Sequence, residues 1–320
     1  MKVTKKIFAV LMAMVMILSV AAVSSFAYTR NGKDMKKLVV FGDSIAAGYN
    51  LPGYKAYGQY CLQNVRVDGS FGDLVAKDLG FTKKNVTFYT SPGFRTKELR
   101  VFLEDDYDGD FVTQNFIGHL SGNPDYNLDV MKAARPEYQQ TIADADVILL
   151  EIGFNDTWLT TQGALQDYNS TTNDPVGRIL NSPRYLYEFE QGLEDTLIQF
   201  GNQFGALVND IYRLNPDVTL VAVGCYNPFK DWTIPDGSGI YAGQLMNFMY
   251  DNMNNAMKSH LNDGEHDFIY VDVPDTEVIS DTVNDLLSGQ PMLSEGGWDP
   301  HPTEAGHRYM ADQIEAAMNA

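Results

Sequence analysis

The sequence predicts an α/β fold, a three-layer α/β/α sandwich in which helices cover both faces of a central five-stranded, mostly parallel sheet. Two observations predict it. Five short runs rich in Val, Ile, Leu and aromatic residues are continuously apolar, as expected for strands that are buried on both faces of a parallel sheet. Amphipathic helical patterns lie between these runs, and the alternation of strands with helices is typical of this architecture.

The individual elements can be placed along the chain. Residues 189–211 carry the longest helical pattern, with apolar residues at spacings of three and four, and the pattern stops before Pro216 because proline ends a helix. Two shorter helices are predicted, one over 71–79 that ends at Gly80 and one over 303–318. The predicted strands are residues 38–41, 86–90, 146–152, 218–224 and 268–273.

The first 27 residues have the pattern of a secretory signal peptide. Lysines stand near the N-terminus, residues 7–23 are almost all apolar, and Ser25-Phe26-Ala27 has small residues at the two positions that a signal peptidase reads. No later run approaches about 18 apolar residues, so we expect no other segment that spans a membrane. We therefore expect an exported, extracellular protein in which residues 28–320 form one domain. An N-terminal membrane anchor is the alternative interpretation of the same segment.

Three long stretches interrupt the alternation of strands and helices. They cover residues 50–68, 104–140 and 157–187 and are rich in Tyr, Asn, Asp, Gly and Pro. Insertions of this length in a compact domain are usually lids or binding loops. Their aromatic side chains are candidates for lining a substrate cleft, with packing of the loops themselves as the alternative. These aromatic residues are Tyr54, Tyr57, Tyr60, Trp158, Tyr185 and Tyr187.

The composition limits the partners and cofactors of the protein. A formal net charge of −19 disfavours nucleic acid and anionic membranes as partners and suits a neutral substrate. Cys61 and Cys225 could form one disulfide in an exported protein, but their spacing does not indicate a metal site. The acidic run at 104–110 matches the first positions of a calcium loop, yet Asn115 stands where that loop needs a bidentate glutamate. We expect a solvated acidic loop and no bound metal, with calcium binding as the alternative.

Polar and glycine residues follow three of the predicted strands near the point where each ends. Gly42-Asp43-Ser44 follows the first strand, Gly93 lies shortly after the second, and Gly153-Phe154-Asn155-Asp156 follows the third. Because the ligand crevice of an open parallel sheet lies beyond the carboxyl ends of its strands, these residues should meet at one edge. A serine, a glycine with a free backbone N–H and an asparagine are parts of an acyl-transfer site that still needs a base. His301, which stands between two prolines, can supply that base.

These residues stand in four blocks, through which the sequence resembles the SGNH (GDSL) hydrolase family. The blocks read FGDSIAAG, SPGFRT, EIGFND and DPHPTEAGH, and the resemblance extends from residue 39 to about residue 310. It implies a flavodoxin-like fold and a serine esterase or lipase-like enzyme that uses no cofactor. It also implies Ser44 as the nucleophile and His301 as the general base. The implied oxyanion hole consists of the backbone N–H groups of Ser44 and Gly93 and the side chain of Asn155.

The acid that should orient His301 departs from the family pattern. The family usually has aspartate three residues before the histidine, where this chain has Trp298, whereas Asp299 stands two residues before His301 across a proline. Asp299 is the candidate, and a backbone carbonyl or another carboxylate are the alternatives. Proline on each side of His301 reduces the freedom of the loop and favours one position for the imidazole.

The expected function is the hydrolysis of carboxylic esters through an acyl-enzyme. Substrates within the resembled family range from lipids and small acyl esters to acetylated polysaccharides. No long hydrophobic lid helix is evident, and the polar and aromatic insertions together with the acidic composition favour O-acyl groups on carbohydrate. The alternative from another class is a non-catalytic carbohydrate-binding or cell-surface module that retains the fold.

Overall fold

The computed structural model describes residues 28–30, 32–54, 65–109, 128–157, 183–228, 242–261, 267–274 and 299–320. These ranges begin with a short antiparallel hairpin of β1 (Thr29–Arg30) and β2 (Lys33–Asp34). The central sheet consists of β3 (Leu38–Gly42), β4 (Val86–Thr90), β5 (Val147–Glu151), β6 (Thr219–Val223) and β7 (Ile269–Val271). The segment 1–27, for which the sequence predicts a signal peptide, lies outside the described residues.

The five strands of the sheet run parallel in the order β4-β3-β5-β6-β7, which confirms the predicted fold class. β3 and β5 pair over their full length, from Leu38 beside Val147 to Gly42 beside Glu151. The chain adds β4 on one side of β3 and then adds β5 on the other side, so the strand order reverses at β3. At such a reversal the two connections leave the sheet in opposite directions, and a crevice opens beyond the carboxyl ends of β3 and β5.

Helices flank this sheet. They are α1 (Phe71–Asp78), α2 (Thr96–Leu103), α3 (Leu128–Ala143), α4 (Pro183–Leu214), α5 (Ala242–Ser259) and α6 (Glu304–Met318). The sequence predicts α1 and α6 to within one residue. It also predicts the end of α4, but α4 begins at Pro183, before the predicted residue 189 and inside the stretch 157–187, for which the sequence predicts an insertion. The Ser70 hydroxyl caps α1 by accepting a hydrogen bond from the Asp73 N–H at 3.3 Å, and the Thr303 hydroxyl caps α6 in the same way. α4 ends immediately before Asn215-Pro216, as predicted.

The helices form two layers, one on each face of the sheet. Successive strand residues point to opposite faces, so Val40 and Phe41 mark the two sides of β3. On one side, Gly72 of α1 lies so near the sheet that a Cβ there would be 2.7 Å from the Val40 side chain. On the other side, the Tyr138 ring of α3 lies 6.4 Å from the Phe41 ring and 3.7 Å from the Tyr89 ring. α6 packs beside α1, whereas α2 and α4 pack beside α3, which completes the sandwich.

The structure differs from the prediction within residues 104–140, where the sequence indicates an insertion without helices. The described second part of this stretch begins α3 at Leu128, and Pro136 lies inside that helix. Polar composition and the internal proline hide the helix in the sequence, because proline removes a backbone donor. Tertiary contacts outweigh this cost: Arg135 is buried and donates hydrogen bonds to three backbone carbonyl groups between residues 101 and 107.

Several other expectations meet the limits of the described ranges. The sequence patterns do not predict α2 or α5. Among the described helices, none combines the length and the apolar character that a membrane span requires. Cys225 is buried, whereas Cys61 lies outside the described residues, so the disulfide stays a prediction. Tyr54 is described, but the side chains of the other aromatic candidates in the insertions are not; these are Tyr57, Tyr60, Trp158, Tyr185 and Tyr187.

Candidate active site

Ser44 follows β3 at the crevice edge of the sheet. Gly42 is needed just before it, because a Cβ at Gly42 would lie 2.1 Å from the backbone carbonyl oxygen of Glu151 in β5. Asp43 then turns the chain, since its Oδ1 accepts a hydrogen bond from the Ile45 N–H at 2.8 Å. A helical turn follows, which the Tyr49 N–H closes by donating to the Ser44 carbonyl at 3.0 Å. The Ser44 side chain is thereby held, largely buried, directly beyond the strand.

The structure brings Ser44, His301 and Asp299 into one hydrogen-bonded row. Nε2 of His301 lies 2.8 Å from Oγ of Ser44, although the two residues are 257 positions apart in the chain. Nδ1 of His301 lies 2.6 Å from Oδ1 of Asp299. Asp299, rather than a backbone carbonyl or another carboxylate, is therefore the group that contacts Nδ1. This is the arrangement of nucleophile, base and orienting acid in a serine hydrolase triad.

A turn within Asp299-Pro300-His301 makes the short spacing between acid and base workable. Oδ1 of Asp299 accepts the backbone N–H of His301 at 3.0 Å as well as the imidazole Nδ1–H, so one oxygen holds both groups. The buried hydroxyl of Tyr226 donates to the Pro300 carbonyl at 2.6 Å and fixes the middle of the turn. A polyproline II segment would rotate residues two apart away from each other, whereas this turn folds the carboxylate back over its own histidine.

The electrostatics of the row favour a charged Asp299. Partial burial opposes ionisation of its carboxyl group, but the hydrogen bonds from His301 and Asn50 outweigh burial and lower the pKa of Asp299 below 3.8. Asp299 is therefore an anion at neutral pH. An anion beside Nδ1 fixes the tautomer that carries the proton on Nδ1 and leaves Nε2 free to accept the Ser44 proton.

The three loops that carry the predicted oxyanion donors are tied together by Asn155. Its Nδ2 donates to Oδ2 of Asp43 and to the carbonyl of Phe94, both at 3.0 Å. Gly93, just before Phe94, has a φ of 82°, a conformation that favours glycine. The loops of Ser44, Gly93 and Asn155 thus meet at one edge of the sheet. Both N–H groups of the Asn155 amide are engaged, so this side chain can reach an oxyanion only by exchanging one of these bonds.

Residues 38–314 match the family described as GDSL-like Lipase/Acylhydrolase. The chain belongs to this family. The matched range contains all five residues that the sequence singles out for the site, which are Ser44, Gly93, Asn155, Asp299 and His301. No curated protein is significantly similar to this GDSL family member in sequence.

Two solved structures from Streptomyces resemble this GDSL family member. An extracellular lipase from Streptomyces rimosus has 14% sequence identity and a TM-score of 0.51, over 88% of this chain and 99% of the lipase. Phospholipase A1 from Streptomyces albidoflavus NA297 has 12% identity and a TM-score of 0.52, again over 88% of this chain and 99% of the other. At these identities the similarity concerns the fold, and it agrees with the parallel-sheet sandwich described above.

Asp156 also connects the Gly93 loop of this GDSL family member to the turn after β5 through hydrogen bonds. Asp156 accepts hydrogen bonds from the Thr96 N–H at 3.0 Å and from the Thr96 hydroxyl at 2.5 Å. Burial raises the pKa of Asp156 from 3.8 to about 7, although the hydrogen bonds from Thr96 favour its charged form. Thr96 begins α2, so Asp156 places the start of that helix, and the preceding loop with it, beside Asn155.

Two buried carboxyl groups face each other beneath Ser44. Asp43 is 0% exposed and Glu151 is 2% exposed, and their side chains hydrogen-bond to each other. Burial, together with the charge of Asp43, raises the pKa of Glu151 well above 4.5, and burial raises the pKa of Asp43 to about 6. At neutral pH we therefore assign one shared proton to Glu151. Asp43 then remains the anion that accepts the N–H groups of Ile45 and Asn155.

Histidines other than His301 have structural surroundings. His307 is fully buried, its Nδ1 accepts the Phe71 N–H at 3.2 Å, and burial lowers its pKa to about 3. His307 is therefore neutral at physiological pH, and it packs between α1 and α6. His260 contacts the Gly201 carbonyl at 3.0 Å through Nε2. His119 and His266 lie outside the described residues.

The acidic run at 104–110 pairs with cations of the neighbouring helices where it is described. Glu104 contacts Arg100 of α2, and Asp108 contacts Lys132 of α3. Within the described ranges, no group of three or more His, Cys, Asp or Glu side chains could hold a metal ion. Asn115, the residue at the last position of the candidate calcium loop, is outside those ranges.

Four residues that shape the site escape sequence reasoning. The Tyr49 ring stacks on the His301 imidazole, with centroids 4.4 Å apart and an interplanar angle of 27°. Asn50 donates to Asp299, Tyr226 holds the loop of His301, and Glu151 lies against Asp43. A weak signal was present for the first two, because Tyr49 and Asn50 follow the GDS block directly and asparagine before Leu-Pro-Gly is typical of a turn.

Proposed function

We propose that this protein hydrolyses carboxylic esters through a covalent acyl-enzyme. Ser44 is the nucleophile, His301 is the general base, and Asp299 orients the base. One observation carries the proposal: an unbroken row of hydrogen-bonded atoms leads from Oδ1 of Asp299 through the imidazole to Oγ of Ser44, with distances of 2.6 and 2.8 Å. Membership of the GDSL-like lipase and acylhydrolase family supports the same chemistry.

The geometry suits a two-step reaction. Nε2 of His301 takes the Ser44 proton while Oγ attacks the ester carbonyl, and Asp299 stabilises the imidazolium that forms. Collapse of the tetrahedral adduct breaks the bond to the alcohol oxygen, which leaves with the proton from Nε2. Water then attacks the acyl group on Ser44, with His301 again removing a proton. The carboxylic acid is released, and Ser44 regains its hydrogen.

The negative charge on the adduct needs donors that are already in place. The backbone N–H groups of Ser44 and Gly93 and the amide of Asn155 are the proposed donors, each contributing about 3 kcal/mol to the stability of the transition state. The Asn155 amide is pre-aligned by its bonds to Asp43 and Phe94. We infer that it shifts one N–H from a protein acceptor to the oxyanion, whose full charge makes it the stronger acceptor.

We infer a polar alcohol in the substrate, as in an O-acylated carbohydrate. The exposed large apolar side chains of the described residues are Ile198 and Phe248. Within the described ranges, these two side chains are too few to form the apolar patch of roughly several hundred Å² that is typical of a surface that binds lipid. The net charge of −19 also opposes adsorption to anionic lipid.

An ester panel with matched variants tests the function and the substrate class together. Short and long p-nitrophenyl esters and acetylated xylan are compared for the wild type, Ser44→Ala and His301→Ala, and both variants should lose at least about a thousandfold in turnover. Ser259→Ala, which alters an exposed serine at the end of α5, away from the site, is the control and should keep activity. Substantial turnover by Ser44→Ala would show that Ser44 is not the nucleophile. No turnover by the wild type on any ester would favour a non-catalytic carbohydrate-binding or cell-surface module. Preference for long acyl chains would favour a lipase.

We also propose that the protein is exported and that residues 1–27 are removed. The charged start, the apolar run and the small residues before Tyr28 support this. Expression of the full sequence in a secreting bacterial host, followed by N-terminal sequencing of the protein from the medium, should give a chain that starts at Tyr28. Retention of the uncleaved chain in the membrane would favour an anchor.

A further inference from the structure

Asn50 has a backbone conformation that needs an explanation. Its φ of 65° is the one positive value at a non-glycine residue in the described ranges. This left-handed region is unfavourable for most side chains, and asparagine is one of the few residues that tolerate it. The conformation ends the turns that begin at Ser44 and directs the Asn50 amide towards the loop of His301, where Nδ2 donates to Oδ2 of Asp299.

This contact engages the second oxygen of the Asp299 carboxylate. Oδ1 is occupied by the N–H and Nδ1 of His301, and Oδ2 is occupied by Asn50. The Asp299 side chain is 32% exposed, and Asn50 contacts its second oxygen from the loop that follows Ser44. A carboxylate anchored through one oxygen can rotate about its last bond, and rotation moves Oδ1 out of the imidazole plane, where it meets Nδ1 less well.

The residue before Asn50 restrains the base from the same loop. The Tyr49 ring stacks on the His301 imidazole at 4.4 Å, and the Tyr54 ring packs against Tyr49 at 4.8 Å. Tyr49 and Asn50 are adjacent in the loop that begins at Ser44, so this one loop contacts both the acid and the base. Since Ser44 begins this loop, the positions of all three triad members relative to one another depend on it.

We propose that Asn50 is a positioning residue that holds Asp299 in line with His301 and so compensates for the short Asp-Pro-His spacing. The proposal rests on the proposed function, because it concerns the orientation of the same triad. When the acid stands only two residues before its histidine, a single carboxylate oxygen accepts both the backbone N–H and the imidazole Nδ1–H of that histidine. Its other oxygen then needs an external donor, which Asn50 supplies from 249 positions away in the chain.

Asn50→Gly isolates this role, because glycine keeps the left-handed backbone and removes only the side chain. We expect kcat/KM for a short ester to fall about 10- to 100-fold, as for other small misplacements of catalytic groups. The loss should appear mainly in kcat rather than KM, and the melting temperature should not fall. Asn50→Asp keeps the size of the side chain but places a second carboxylate against Asp299, so its loss should exceed that of Asn50→Gly.

A double-mutant cycle decides whether Asn50 acts through Asp299. In an Asp299→Asn background, Asn50→Gly should cost less than about twofold, because the carboxylate that it orients is gone. The proposal would be overturned if Asn50→Gly lowered kcat/KM by the same factor in both backgrounds. It would also be overturned if Asn50→Gly alone kept activity within twofold of wild type.

Proton NMR separates this proposal from the proposed function. The Nδ1 proton of His301, bonded to Asp299, should give a low-field signal in the wild type that His301→Ala abolishes and Asn50→Gly weakens or broadens. An unchanged signal in Asn50→Gly would also overturn the proposal. If Ser44→Ala hydrolysed esters as well as the wild type, the proposed role of Ser44 as the nucleophile would be wrong. The NMR comparison would still report whether Asn50 orders the hydrogen bond between Asp299 and His301.

Discussion

Asp156 should make the folded protein less stable as the pH rises through neutrality. Burial raises the pKa of its carboxyl group to about 7, against 3.8 for an ordinary aspartate, while hydrogen bonds from Thr96 oppose the rise. A group whose pKa is raised by folding contributes its full stability below the unfolded pKa. That contribution is lost as the pH rises through the folded pKa, which places the loss between about pH 4 and pH 8.

The size of the effect follows from the two pKa values. The pKa of Asp156 rises from 3.8 to about 7, and each pKa unit corresponds to about 1.4 kcal/mol. The full difference in the free energy of unfolding is therefore about 4 kcal/mol. Asp156 retains some contact with solvent, which screens its charge, so we expect about 2 to 4 kcal/mol.

The assay is denaturant unfolding of the wild type and Asp156→Asn at pH 4, 6 and 8. The asparagine keeps an oxygen that can accept a hydrogen bond from Thr96 but carries no charge. The free energy of unfolding of the variant, relative to the wild type, should rise by about 2 to 4 kcal/mol from pH 4 to pH 8. Asp251→Asn, on the exposed side of α5, removes the same charge from the surface and is the control. A difference that does not change with pH, or an equal rise in the control, would refute the reasoning.

Asn155→Ala should lower kcat by about 10²- to 10³-fold with little change in KM, because its amide meets charge that exists only in the transition state. Steady-state kinetics test this, and a raised KM at constant kcat would instead indicate a role in substrate binding. Asp299→Asn should lower kcat/KM by up to about 10⁴-fold, because an amide does not stabilise the tautomer and the imidazolium of His301 as a carboxylate does. Activity within twofold of wild type would show that another group orients the base. Glu151→Gln should gain stability over the wild type as the pH rises above 4.5, because burial raises the pKa of Glu151 and loss of its proton leaves two buried charges. A stability difference that is equal at all pH values would contradict this. EDTA should leave the melting temperature unchanged, because cations of the neighbouring helices pair with the carboxylates of the run at 104–110, and a fall that calcium alone restores would indicate a calcium site.

The sheet could be predicted from local sequence because burial on both faces imposes a local pattern. Each predicted strand coincides with an observed strand to within two residues, as for the run 146–152 and β5 (Val147–Glu151). α3 could not be predicted in this way. Its sequence is polar and contains Pro136, and the contacts that stabilise it, such as those of Arg135, come from residues about 30 positions away.

The candidate site likewise combines features that local sequence predicts with features that depend on distant contacts. Local sequence places a serine, a glycine and an asparagine near three strand ends, and the parallel arrangement predicts that they meet. It also identifies Asp299 as a candidate acid, but the turn that returns its carboxylate to His301 is held by Tyr226 and Asn50, which lie elsewhere in the chain.

Protonation and positioning within the site were decided by the tertiary structure alone. The proton shared by Asp43 and Glu151 depends on the alignment of β3 with β5, which buries both groups side by side. The contact from Asn50 to Asp299 joins two loops that are distant in the chain. The identity of a residue at a strand end is a property of the sequence, whereas its pKa and its partners depend on how much water and which neighbours the assembled sheet leaves around it.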